Sequence, residues 1–386
     1  MKLAITRIEN EKELDKFVKF PLKLYQNDKN YVSPLFNDVK RTLNPQKNPF
    51  FKHAEQALFI AQADKNILGR IAAIIDYNYI QYHQKKVGYF GFFEVVNNYS
   101  VASALLDTAK NWLKAKGMER MLGPANPALY DECGFLIEGF DSPPMIKMPY
   151  NPKYYIDLVE RYGMEKDKDL FAYSIRTDQP VPEKLKRVIE AIKNKPGLVV
   201  RRVDFSRMEE EKRNIKEIYN NAWSANWDFA PLTDAEIDDL FKLLKPLAKP
   251  EMIPIVEING EPAGMSIALP NYNEILIKLK GQLFPFGIVT FLLEKDKIKS
   301  ARLWALGVKD KFRKMGLDAL LYYETFAGAK KLGIEWGEVS WILEDNLDIQ
   351  RPILLWGCKL YKKYRIYGID ITAWGKRRLL EVSGKG

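Results

Sequence analysis

The chain has 386 residues, 47% of them hydrophobic and 12% aromatic, with a formal charge of +10 and a pI near 9.2. That length exceeds one small core, and that apolar content excludes a disordered chain. The charge points to an anionic partner: a phosphorylated cofactor, an acidic carrier protein, a membrane surface or nucleic acid.

The elements form a repeat. A strand, a turn at "DKN" and a second strand are predicted over Leu58 to Ile75, and the same over Met252 to Leu269 around Asn259-Gly260. "GYFGFFEVV" reads as a strand, followed by a helix with Ala102, Leu105, Leu106, Ala109 and Leu113 on one face and a stop at Gly117. "ARLWALGV" and a helix from Leu317 to Gly333 repeat that unit. "PKYYIDLVERYGM" and "QRPILLWGCKLY" read as helices ending at Gly163 and Gly357, before closing strands "KDLFAYSI" and "KYRIYGIDI". Two copies this long suggest duplication of a whole domain. The division is 1–178, a connecting helix over 179–196, and 197–386. Cys133 and Cys358 give neither a disulfide framework nor a zinc spacing, so no metal is expected and a reducing compartment is. The first residues carry charges where a signal peptide needs an apolar core, and no apolar run reaches a membrane span. A cytoplasmic protein, with peripheral contact at the inner membrane surface as an option, is the expectation.

Lys309, Lys311, Arg313 and Lys314 crowd ahead of Gly316, where a helix begins at Leu317. A helix start offers unpartnered N–H groups and a positive dipole end, which suits phosphate. The order of elements, with "RKMGLD" (Arg313 to Asp318) after a central strand and "EDNLDIQRPILLWG" later, resembles the GNAT acetyltransferase superfamily. Its turn has the form Arg/Gln-x-x-Gly-x-Gly/Ala. The resemblance implies an α/β fold with a mixed sheet, as two tandem GNAT-like acyl-CoA N-acyltransferase domains. It is similar in particular to double-domain bacterial members, among them the group linked to bacterial ceramide synthesis, which joins a long acyl chain to a sphingoid amine.

The resemblance implies a donor, acetyl-CoA, another acyl-CoA or an acyl carrier protein, held by Arg313, Lys314, Met315, Gly316, Leu317 and Asp318. The thioester carbonyl would be polarised by backbone N–H groups near Leu306, Gly307 and Val308. The first repeat has "NNYSVASALL" in place of the turn and reads as a copy without donor binding. Asp318 stands where a small residue is usual, beside the expected pyrophosphate, so Asp318→Gly should favour acyl-CoA and a carrier-bound acyl group should serve at least as well. The Tyr often used as general acid falls at Ile353, leaving Tyr361, Tyr364 and Tyr367 as nearby candidates.

Direct attack needs a neutral amine and a proton for the leaving thiolate, and no covalent intermediate. Glu338 is the candidate base, expected on one strand face with Trp336, Ser340 and Ile342 in apolar surroundings, with Glu344, Asp345 and Asn346 at the strand's end. Trp223, Trp227 and Phe229, beside Asn220, Asn221 and Asn226, are expected to form an acceptor wall. Thr233 and Glu236 there have capping-box spacing. In the first half the loop holding Asp131, Glu132, Glu138 and Asp141 is the candidate second wall. The run "LFPFGIVTFLL", Leu283 to Leu293, lies between Lys278, Lys280 and Lys295, Lys297, Lys299, and reads as a buried helix in preference to an interfacial segment. The acceptor is then a small-molecule or lipid amine. A non-catalytic binding or scaffold module is the alternative, and nucleic acid is not expected because the basic residues are dispersed.

Overall fold

The computed structural model describes residues 3–372. The chain divides into two compact units. The first takes the chain up to Asp169, the segment Leu276–Gly287 and the chain from Tyr364 onward; the second takes Leu170–Ile275 and Ile288–Lys363. The repeat divides the chain by element order, whereas these units divide it by packing. The closing strand of each repeat, β9 (Glu165–Arg176) and β15 (Lys359–Asp370), therefore carries residues of both units.

In the first unit β1 (Leu3–Arg7) precedes α1 (Glu11–Leu24), whose cap Asn10 accepts from the Glu13 N–H, and α2 (Phe36–Thr42). The predicted hairpin is β2 (Ala54–Ala63) and β3 (Asn66–Asp76), followed by α3 (Tyr77–His83), β4 (Val87–Val95) and α4 (Tyr99–Ala115). Then come β5 (Arg120–Gly123), short strands β6 (Ala125–Asn126), β7 (Glu132–Cys133) and β8 (Phe135–Glu138), and α5 (Tyr154–Arg161). The strands β1 to β5 lie side by side in order, antiparallel except for the parallel pair β4–β5, and Tyr367–Asp370 of β15 pairs with β5. The α4 face built by Ala102, Leu105, Leu106, Ala109 and Leu113 is wholly buried against Ile71, Ala73, Phe93 and Val95 of the sheet. Its spacing is that of one helix stripe, which is why the sequence marked it.

The second unit follows the connecting helix α6 (Glu183–Lys193). It holds β10 (Leu198–Arg202), α7 (Met208–Ala222), α8 (Asp234–Leu244), and the hairpin β11 (Pro254–Ile258) and β12 (Glu261–Pro270). Asn259 and Gly260 turn this hairpin with φ of 51° and 79°, the left-handed pair that Asn-Gly adopts readily. Next in the chain are α9 (Asn273–Leu279), which passes to the first unit at Leu276, α10 (Gly287–Glu294), which belongs to the second unit from Ile288 on, β13 (Ser300–Val308), α11 (Leu317–Lys331), β14 (Trp336–Leu343) and α12 (Leu347–Leu355). The sheet order is β9, β14, β13, β12, β11, β10, with only β13–β14 parallel. Helix α7 covers one face through Ile215 and Ile218. On the other face α11 packs through Leu317, Leu320 and Leu321 against Ile189 and Ile192 of α6.

One reading of the sequence is corrected here. The run Leu283 to Leu293 is not a buried helix. None of the α10 residues is buried, and Phe284 and Phe286 before it are largely exposed. Two helical turns offer too little chain to wrap a core, so apolar content alone did not fix where these residues lie.

Candidate active site

The parallel strands β13 and β14 pair only from Ser300↔Trp336 to Leu303↔Val339. Beyond that rung β13 continues to Val308, paired on its other side to β12, and its β14-facing edge has no strand partner. The cause is local. Ile267↔Ala305 and Ala268↔Leu303 leave Trp304 as an extra residue, a bulge that bends β13 away. Leu303 to Leu306 are consequently only half-buried. On the α11 side of this opening lies an apolar cavity of about 60 Å³, lined by Leu303, Val339, Tyr322, Phe326, Ile353, Trp356 and Cys358 among others. Burial pushes the Cys358 thiol up to about 12, so it lines the cavity as a neutral thiol.

The predicted donor turn stands at the open end of β13. Lys314 and Gly316 have φ of 63° and 79°, and Gly316 directly precedes α11 with no side-chain cap. The backbone N–H groups from Lys314 through Ala319 find no acceptor among the described residues. A row of free N–H groups at a helix start is an anion cradle. A Cβ on Gly316 would come within 2.6 Å of Ile192 Cδ1, and its φ disfavours any side chain.

The basic cluster itself is mostly spent. Buried Lys309 pairs with Glu217 and, at 3.3 Å, with Glu261; Lys311 pairs with Glu261 at 2.6 Å; Arg313 pairs with Asp310 at 2.9 Å and donates to the Ala222 carbonyl at 2.9 Å. The Arg313 N–H donates to the Asp310 carbonyl. Lys314 makes no ion pair among the described residues, so of the four predicted cations only this one is uncommitted. Asp318, in the first turn of α11, has no ion pair either, and its charge helps burial raise the Tyr322 hydroxyl one turn on.

The first repeat shows the same splay with a different filling. β4 and β5 pair only from Val87↔Arg120 to Tyr89↔Leu122, and β4 is irregular between its partners for Arg70 and Ala72. Phe92, at φ 47°, donates its N–H to Asn126 Oδ1 at 2.6 Å, and a Cβ on Gly91 would lie 1.7 Å from the Ala125 carbonyl oxygen. The chain's own β6 thus occupies this opening. At the start of α4, Asn98 Oδ1 caps the Val101 N–H at 3.3 Å.

Glu338 sits on the last-but-one paired rung, opposite Arg302, and each is 1% exposed. Arg302 Nε lies 3.8 Å from Glu338 Oε1 and donates to Ser340 Oγ at 2.9 Å. Ser340 donates to Glu338 Oε1, and the half-buried Tyr361 donates to Oε2. The expected apolar surround is therefore corrected: the carboxylate is held by a guanidinium and two hydroxyls. Ile342 does not share its face either. The β14–β9 register shifts between Val339 and Ile342, and Ile342 packs with Val339 on the cavity side. Glu344 and Asn346 lie past the strand end. The Glu344 carbonyl accepts from Gln350 at 3.0 Å, and Asn346 caps α12 through Ile349 N–H. Buried Tyr364 and Tyr367 belong to the first unit, where Tyr367 donates to Glu160.

On the α7 face, Trp223 stacks on Tyr219 with centroids 4.7 Å apart, and a Cβ on Gly307 would meet its ring at 2.3 Å. Gly307 is required because the indole and Ala222 of α7 leave no room for a Cβ on β13 at its open end. Asn221 Oδ1 accepts from the Asp310 N–H at 2.8 Å, fixing the start of the donor turn to α7. Phe229 packs on Tyr219, and the predicted capping box at Thr233 and Glu236 is present. Trp227 is half-buried in the loop after α7. Asp141 is exposed in the first unit, past β8.

Sequence reading passed over one buried charge cluster. Glu94 in β4 accepts from Tyr25 at 2.7 Å and Tyr155 at 2.8 Å, with Arg70 at 3.7 Å. Burial raises its carboxyl, with Arg70 and the two phenols opposing. A lone acid inside "GYFGFFEVV" was the available signal.

Bulged, splayed parallel strands with a helix N-terminus at their open end define an acyltransferase of the GNAT fold, and the chain belongs to the GNAT acetyltransferase family. The pattern of the Acetyltransferase (GNAT) family matches residues 23–135, within the first repeat. Over 373 residues the chain is 36% identical to the bacterial ceramide synthase of Caulobacter vibrioides (strain NA1000 / CB15N), covering 95% of this chain and 97% of that protein. It is 35% identical over 368 residues to protein YghO of Escherichia coli (strain K12), covering 93% of each. Among solved structures, the tandem GNAT protein from the clavulanic acid biosynthesis pathway aligns with a TM-score of 0.58 at 9% identity, over 96% of this chain and 99% of that one. A GCN5-related N-acetyltransferase from Sphaerobacter thermophilus aligns with a TM-score of 0.56 at 12% identity, over 96% of each. The last two show the fold.

Proposed function

We propose that this N-acyltransferase binds its thioester donor in the second repeat and transfers the acyl group by direct attack of an amine in a ternary complex. The observation that carries the reading is the uncapped row of N–H groups from Lys314 through Ala319 at the open end of β13. These groups would hold the donor's phosphate, with Lys314 adding the uncommitted charge. The acyl end would enter toward the cavity, whose 60 Å³ takes a few carbons. A long chain would need Phe326 or Trp356 to move. Backbone from Leu306 to Val308 would polarise the thioester carbonyl. The amine would arrive on the α7 face, beside Trp223.

Glu338 borders the cavity but is only 1% exposed, so in this reading it does not itself meet the amine. Its role is to orient the Tyr361 hydroxyl, which would supply a proton to the leaving thiolate. The acceptor proposed is an apolar amine, by likeness to the ceramide synthase, and the donor an acyl-CoA or an acyl group on a carrier protein. A second reading puts the donor in the first repeat. The family pattern falls there and Glu94 would be its base. Asn126 and Ala125 in that splay speak against it.

Titration calorimetry with acyl-CoA separates the two. Gly316→Trp should abolish binding, and Ser100→Trp, at an exposed position, should leave it intact. Loss at Ser100 with binding retained at Gly316 would reverse the assignment.

A further inference from the structure

In the segment Phe284 to Leu293 five large apolar side chains face solvent, while Phe291 stacks on Tyr272. Phe284 is 66% exposed, Phe286 83%, Val289 55%, Leu292 56% and Leu293 66%. Val289, Leu292 and Leu293 stand at i, i+3 and i+4, on one face of α10. Single exposed hydrophobics are ordinary, but five in one short stretch mark an interaction surface.

Lysines bracket the stretch: Lys278 and Lys280 before it, Lys295, Lys297 and Lys299 after. Lys299 pairs with Glu335 at 3.1 Å, while Lys280, Lys295 and Lys297 make no ion pair among the described residues. We propose that this segment docks the protein on a bilayer containing anionic lipid. Phe284, Phe286, Val289, Leu292 and Leu293 enter the boundary between headgroups and acyl chains, and the lysines remain among the headgroup phosphates. Among the described residues no helix is long and apolar enough to cross a membrane, and two turns of α10 suit the interface instead. A second copy of the chain is the weaker occupant. A two-fold contact would set these lysines against their own copies, whereas an anionic surface neutralises them. The docking goes beyond the transfer reaction and stands without it.

Sedimentation of the full chain with vesicles of phosphatidylcholine, and of equimolar phosphatidylcholine and phosphatidylglycerol, tests this. Binding to the anionic vesicles is expected. Phe286→Asp with Leu293→Asp should weaken it by about a hundredfold, since each removes a large apolar side chain that would enter the lipid. Lys295→Glu with Lys297→Glu should weaken binding to the anionic vesicles alone. All four positions are surface sites, so a matched thermal melt should show folded variants. No binding by the unmodified protein, or equal binding by Phe286→Asp with Leu293→Asp, would overturn the proposal. A self-association that the aspartates dissolve, without vesicle binding, would assign the surface to a second copy instead. Acyl transfer to a soluble amine is measured separately, so failure here leaves the transfer reading intact.

Discussion

Asp318 is the residue whose charge most directly opposes the proposed donor. At about 4 Å a second negative charge costs on the order of 1–4 kcal/mol, depending on screening. As an acid in the first turn of α11 it also stabilises that helix by about 0.3–1 kcal/mol. Asp318→Asn removes the first effect without the backbone freedom a glycine would add. Acyl-CoA is expected to bind about tenfold tighter or more in this variant, with less change for a carrier-bound donor, which presents one phosphodiester. Matched calorimetry with both donors measures the difference; equal gains would show that Asp318 does not face the pyrophosphate. Tyr361 is the second test at this scale. Tyr361→Phe keeps the ring against Trp336 and removes the hydroxyl that Glu338 holds. We expect kcat to fall by about 10²-fold or more, with the donor dissociation constant unchanged. Unaltered kcat would remove Tyr361 from the chemistry.

Among the elements, β9 and β15 depend on charge as well as on pairing. Arg365 grips Asp169 through two bonds of 2.7 and 3.0 Å, and Lys166 adds a third contact at 3.0 Å. Burial raises the Asp169 carboxyl, but the Arg365 and Lys166 hydrogen bonds and charges outweigh it and hold the carboxyl below its usual value. A depressed folded pKa contributes stability above the unfolded pKa near 3.8 and loses it as pH falls through the folded value. Asp169→Asn should therefore cost about 1–3 kcal/mol at neutral pH. The gap between variant and unmodified protein should close as pH drops below about 4. Thermal melts across that range measure this, and a gap that persists at low pH would mean the loss comes from packing.

For the whole molecule, duplication has kept the frame and changed what fills it. Both repeats have the bulge, the parallel pair and the splay. In one the helix start is free; in the other Asn98 caps the helix start, and Asn126 and Ala125 fill the splay. The calorimetric experiment on Gly316 and Ser100 should accordingly return a single donor per chain. The family pattern falling on 23–135 fits this picture, because strand and helix spacing can persist in a copy whose opening is closed.

The sequence by itself determined the repeat, the hairpins, the connecting helix, the capping box and the helix that starts at Leu317. These follow from apolar period, Asn-Gly and other glycine stops, and side chains that cap their own turn, all of which act between near neighbours. It also located the uncapped turn at Gly316. What only the tertiary structure decided depends on partners distant in sequence. Glu217 and Glu261 claim Lys309 and Lys311 of the basic cluster, and Trp223 makes Gly307 necessary. Arg302 and Tyr361 turn an expected apolar setting for Glu338 into a polar one. The register shift in β14 moves Ile342 to the other face, which strict alternation cannot foresee. The exposure of Phe284 to Leu293 is of the same kind. An apolar run specifies a need for cover, and only the packing of the remaining chain decides whether the protein supplies that cover itself.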